Sequence, residues 1–186
     1  MLSGIDGVLL VVVIGYGKLV VPVDFAIRRP DPTGSGGPCR DKLRWVQVRL
    51  DGRLAALRRR SMALPPPLVV ADSWFGDSKL MRHVATTHQG TLLVEGKSTD
   101  VFARPDGHQV TGSELQHQRE WPWRHSPQIP GVRYARLRAT SPTYGAMMLI
   151  VVEQPREEQF YLMCLETAIS GPRLLRAWKR RSWIEY

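Results

Sequence analysis

Only two cysteines, Cys39 and Cys164, occur in the 186 residues, far apart and outside any C-x-x-C redox or metal spacing. A disulfide framework is thereby excluded, and a reducing, cytoplasmic compartment is the expectation. The five histidines, His83, His88, His108, His117 and His125, show neither zinc-finger nor H-E-x-x-H spacing, which leaves zinc little support. No Walker-type or dinucleotide-type glycine loop is present either, since Ser3-Gly4 and Gly15-Tyr16-Gly17 fit neither pattern. Long apolar runs are missing as well. The stretch from Val8 to Ile27 is broken by Gly15-Tyr16-Gly17-Lys18 and charged at Asp24, so each half is too short for a bilayer. Met1 to Gly7 lacks a basic segment and carries Asp6, which argues against a signal peptide. No internal repeat is evident.

Acidic residues are also in short supply, with 17 Asp and Glu against 26 Lys and Arg, for a net charge of +9. Such a balance favours a polyanionic partner, with nucleic acid ahead of an anionic membrane surface. Hydrophobic residues at 43% and charged residues at 23% are those of an ordinary globular chain, which excludes collagen, coiled coil and disorder. The length allows one domain with an insertion, or two small ones.

Val8 to Ile14 and Leu19 to Ile27 are rich in β-branched residues and read as two strands of a central hairpin. Asp31 to Gly37 is a Pro, Gly and Ser loop. From Arg40 to Arg60, Leu43, Val46, Leu50, Leu54 and Leu57 form one helical stripe, while eight basic residues, Arg58, Arg59 and Arg60 among them, oppose only Asp41 and Asp51. Pro65-Pro66-Pro67 ends that helix. Leu68 to Asp72 is a short strand, Asp77 or Ser78 caps a helix from Lys79 to about His88, and Thr91 to Glu95 is a further strand. Beyond it the pattern becomes β-rich: a hairpin across Asp106-Gly107, a Gln-, Trp- and Pro-rich stretch from Gly112 to Gly131 expected to be mostly loop, and strands at Val132–Ala139, Ala146–Val152 and Gln159–Leu165. Ser170 caps a last helix with Pro172 in its first turn. The fold class is therefore α/β, a mixed sheet with flanking helices and an inserted β-rich subdomain. The divisions are 1–98 for the first part of the core, 99–168 for the insertion and 169–186 for the final helix.

A strand ending in a carboxylate at a sheet edge is a frequent place for ligand chemistry, although a helix cap explains such an Asp about equally well. In the last helix Trp178, Arg181 and Glu185 fall at steps of three and four on one face. Val69-Val70-Ala71-Asp72-Ser73-Trp74-Phe75-Gly76 resembles the strand that carries the second catalytic Asp of the DDE transposases of bacterial cut-and-paste insertion sequences. Arg176 to Glu185 resembles the helix that carries their catalytic Glu, with Arg181 four residues before it.

The resemblance implies an RNase H-like fold in which Asp72 and Glu185 are catalytic and hold two Mg²⁺ or Mn²⁺ ions. It further implies action on transposon-end DNA by phosphodiester hydrolysis and strand transfer, with a homodimer in a synaptic complex, and DNA contacts from Trp178 and Arg181. Two metals would polarise the scissile phosphate, activate the attacking oxygen and stabilise the leaving one. Trp178 stands where the family's signature has Tyr, and the signature's Lys would fall beyond Tyr186. The family's first catalytic Asp precedes the hairpin, where this sequence begins; Asp6 and Asp24 are weak substitutes. A fragment lacking that Asp is therefore expected, and the alternative reading is an inactive remnant that at most binds DNA. For Trp121 and Trp123, which flank Pro122, packing is favoured over stacking on a base.

Overall fold

The computed structural model describes residues 6–14, 19–28, 38–60, 65–155 and 159–181, with side chains placed between residues 43 and 180. The chain divides into two compact units, residues 1–65 and 66–186.

In the first unit β1 (Asp6–Ile14) and β2 (Leu19–Arg28) pair antiparallel, from Asp6 opposite Arg28 to Ile14 opposite Leu19. The register slips once, between Leu10 opposite Asp24 and Val11 opposite Pro22. Pro22 has no N–H to give a ladder, and such an irregularity is where a strand tolerates proline. The hairpin anticipated from the sequence is present, but it forms a two-stranded sheet of its own rather than the centre of the larger one. Helix α1 (Pro38–Arg60) begins two residues ahead of the expected start, with proline in its first turn where no intrahelical N–H is needed. Val46 and Leu50 are buried and Leu43, Leu54 and Leu57 half-buried, while Arg44, Arg49 and Arg53 lie exposed, as the stripe requires.

The second unit is built on an eight-stranded mixed sheet. Its strands are β3 (Leu68–Ala71), β4 (Thr91–Glu95), β5 (Val101–Ala103), β6 (Gln109–Thr111), β7 (Arg124–His125), β8 (Arg133–Ser141), β9 (Gly145–Glu153) and β10 (Gln159–Cys164). The spatial order is β3-β4-β10-β9-β8-β5-β6, with β7 paired to β8. β3 and β4 run parallel, joined through α2 (Ser78–His88), while β10 joins β4 antiparallel. The β-rich stretch thus continues the same sheet through β10.

From Met147 to Val152 every residue of β9 is buried, the near-continuous apolar run of a strand covered on both faces. On one face Leu93, Met148, Ile150 and Leu162 pack with Leu174 and Leu175 of α4 (Gly171–Arg181), and Leu68 and Val70 of β3 join them. Pleating sends Tyr161 to the other face, where its ring meets Phe102 edge-on at 5.7 Å.

The expectation of mostly loop across residues 112–131 holds, and within that segment the chain also forms α3 (Gly112–His117) and β7. Helix α3 is short but closed by a complete capping box: Thr111 Oγ1 accepts from the Glu114 amide while the Glu114 carboxylate accepts from the Thr111 amide. Gly107, with φ of 83°, supplies the left-handed residue of the β5–β6 hairpin. Among the described residues no helix is long and apolar enough to cross a membrane.

Candidate functional site at the carboxyl end of the parallel strands

β3 and β4 end side by side, so the loops that follow them emerge at one sheet edge. In open α/β sheets this is where ligands collect. The first loop begins with Asp72, whose Oδ1 accepts from the Trp74 amide at 2.9 Å and so caps a single 3₁₀ turn, Ser73–Phe75. The capping role weighed at the sequence level is thus realised. Trp74 is exposed beside it. Asp77 then caps α2, taking the amides of Lys79 and Leu80 at 2.9 Å each.

Two tyrosines hold these loops. Tyr144, in the turn between β8 and β9, donates to the Gly76 carbonyl at 2.7 Å, four residues after Asp72. From α2, Arg82 reaches the same turn and donates to the Thr143 carbonyl at 2.9 Å. The second anchor is Tyr161 on β10, whose hydroxyl lies 2.6 Å from the Lys97 carbonyl and 2.8 Å from Asp100 Oδ2, sharing its one proton between two acceptors. Asp100 Oδ2 also accepts from the Lys97 amide at 2.8 Å, closing the loop after β4 on itself. Gly96 is required there, because a Cβ would collide with the Tyr161 ring.

Burial raises both phenols above the ordinary tyrosine range, and Asp100 adds to the effect in each case; at Tyr144 Asp77 contributes as well. Both tyrosines therefore stay neutral and act as hydrogen-bond donors. Cys164, fully buried in β10, is pushed up to about 12 chiefly by burial, which makes it an unreactive thiol.

Of the residues singled out in the sequence, Asp72 stands at this edge. Glu185 lies outside the described residues. Helix α4, whose last residue stands four before it in the sequence, packs on β3, which Asp72 directly follows. Arg181 closes the described part of α4, and its backbone alone is placed. Trp178 is half-buried and stacked on Phe160, centroids 4.5 Å apart, so its ring is engaged in packing. Arg58, Arg59 and Arg60 form the exposed last turn of α1. Trp121 is buried under the Arg104 guanidinium, 5.0 Å away, and Trp123 lies beneath Arg133 at 4.9 Å, so both pack as favoured.

Among the described residues, Asp72 belongs to no group of three ligating side chains whose donor atoms lie within 4.8 Å of one another. The tyrosine anchors and Asp100 escaped the sequence reading because Tyr161 and Asp100 are 61 residues apart, and no local pattern announces such a pairing. Comparison with protein-family models and with curated proteins finds no match.

Proposed function

We propose that the chain is the catalytic domain of a DNA transposase of the cut-and-paste type, acting on transposon-end DNA by phosphodiester hydrolysis and strand transfer. One observation carries this reading: α4, whose last residue stands four before Glu185 in the sequence, packs on β3, which Asp72 directly follows, and the two segments are those whose sequences resemble the family's catalytic strand and helix. An RNase H-like core brings its carboxylates together from such a strand and helix, and the parallel β3–β4 pair with α2 between them accords with that core.

Asp72 offers a hard oxygen ligand, and Glu185 would offer the second, a donor type suited to Mg²⁺ or Mn²⁺. When bound, such ions supply charge stabilisation at a transferring phosphate. The protein's own contribution at the described edge is positional. Tyr144 fixes the loop after Asp72, Arg82 holds the β8–β9 turn that carries Tyr144, and Tyr161 fixes the loop beside it. The basic charge on α1 and on α4, including Arg173, Arg176, Lys179 and Arg180, supports a polyanionic partner.

The test is Mg²⁺-dependent cleavage of a duplex carrying the element's ends, by the chain itself and by one extended upstream to the first Asp that the resemblance calls for, the variants being made in whichever of the two cleaves. Asp72→Asn and Glu185→Gln should each lower the rate by more than about 100-fold, as loss of one member of a cooperating catalytic set does. Unchanged cleavage by Asp72→Asn would overturn the assignment.

A further inference from the structure

A groove of about 320 Å³, open to solvent, lies on the second unit between the β5–β6 hairpin and α3, lined by Arg104, His108, Val110, Glu114, His117 and Gln118. It gathers two imidazoles and one carboxylate, a donor set that the spacing of histidines along the chain does not reveal.

Glu114 and His117 are three residues apart on α3 and therefore neighbours on one helix face. Each already has its orientation set by a bond that leaves a donor atom over. Glu114 Oε2 takes the Thr111 amide at 2.6 Å and the Thr111 hydroxyl at 2.9 Å, which leaves Oε1. His117 Nδ1 lies 2.7 Å from the Ser113 carbonyl. Since a carbonyl only accepts, Nδ1 carries the proton, and the lone pair is on Nε2. A second ring nitrogen tied to a backbone carbonyl is the usual support of a metal-binding histidine. His108, facing them from the hairpin, has its backbone fixed by the Asp106 carboxylate at 2.9 Å and by Arg104, while its ring is exposed.

We infer that Glu114, His117 and His108 form a binding site for a divalent transition-metal ion of the zinc class. Two imidazole nitrogens and one carboxylate oxygen, with solvent completing the shell, suit zinc and its neighbours better than magnesium. Arg104, the competing cation of the groove, is already held, its Nη2 donating to Gln118 Oε1 at 2.9 Å and its guanidinium lying over Trp121. The three donor atoms do not lie within 4.8 Å of one another. Binding therefore draws the exposed His108 ring inward across the groove, a side-chain rotation open to a residue at a hairpin tip. The inference does not use Asp72 and does not depend on the proposed DNA chemistry.

The experiment is calorimetric titration of the tag-free full chain with Zn²⁺, together with the visible spectrum of the Co²⁺ form. One equivalent should bind. Glu114→Gln, which can keep the capping box, His117→Asn and His108→Ala should each weaken that binding by at least about tenfold. His125→Ala and His83→Ala should leave it unchanged. Melting curves keep the result independent of folding, because Zn²⁺ should raise the midpoint of the parent chain but not that of folded His117→Asn. Absence of binding, an unchanged affinity in Glu114→Gln and His117→Asn, or loss of binding in His83→Ala would overturn the inference.

Discussion

At Tyr161 a single phenol joins the sheet to the loop that flanks the candidate site. The side chain is fully buried, and its hydroxyl is shared between a carbonyl and the Asp100 carboxylate. Replacing it by Phe leaves the ring packing against Phe102 intact but removes the donor of a partly buried hydrogen bond to a carboxylate, and a hydrogen bond to a charged group contributes about 1.5–3 kcal/mol. Tyr161→Phe should therefore lower stability by about 2 kcal/mol at pH 8, measured by urea unfolding. The pH dependence has a definite sign. Because burial and Asp100 raise the folded-state value above the ordinary 10.0, the neutral phenol is the folded form. Its contribution is complete below the unfolded value of about 10 and is lost as the pH rises above it. The parent chain should thus lose stability above about pH 10 more steeply than Tyr161→Phe does; parallel curves would count against the network. None of this was legible in the sequence, whereas Asp72 was, because its motif is local and the strand before it is short and apolar.

Elements were legible in proportion to how strongly local physics dictates them. The stripe of α1, the Asp77 cap of α2 and the β4 strand emerge where periodicity or capping chemistry predicts them. Helix α3 does not, since six residues cannot display a 3.6-residue period, and the surrounding Gln, Trp and Pro suggest loop. Its signal was nevertheless present in Thr111-Gly112-Ser113-Glu114, a capping box that composition obscured. If that box holds α3 together, Thr111→Ala should cost about 1 kcal/mol of stability. Hydrogen exchange at the Glu114 and Gln118 amides should rise with it, because the first is donated to Thr111 Oγ1 and the second closes the helix on the Glu114 carbonyl. Exchange at Gln118 no faster than in the parent would mean that packing of Leu115, which is fully buried, holds the helix without its cap.

On the scale of the whole molecule, the α/β class followed from alternating strand and helix signals, but the strand order did not. That β10 returns to pair with β4 is a contact across 67 residues between partners such as Leu162 and Glu95, set by packing on both faces rather than by local pattern. The distribution of charge, by contrast, is readable directly. Arg58, Arg59 and Arg60 close α1, and α4 presents Arg173, Arg176, Lys179 and Arg180, with burial and then repulsion from Arg176 lowering the Arg180 value. Like charges gathered at such spacing oppose one another unless a polyanion offsets them, and DNA does so by releasing its condensed counterions. Each neutralised phosphate contributes about 0.9 to the slope of log affinity against log salt on duplex DNA. Removing the three arginines of α1 together, as Arg58→Gln, Arg59→Gln and Arg60→Gln, should flatten that slope by up to about 3 and weaken binding at low salt more than at high salt. Removing Arg173 and Arg176 should flatten it by up to about 2 in the same way. A slope that stays constant in both variants while affinity falls would assign these arginines to the stability of their helices instead of to a phosphate footprint.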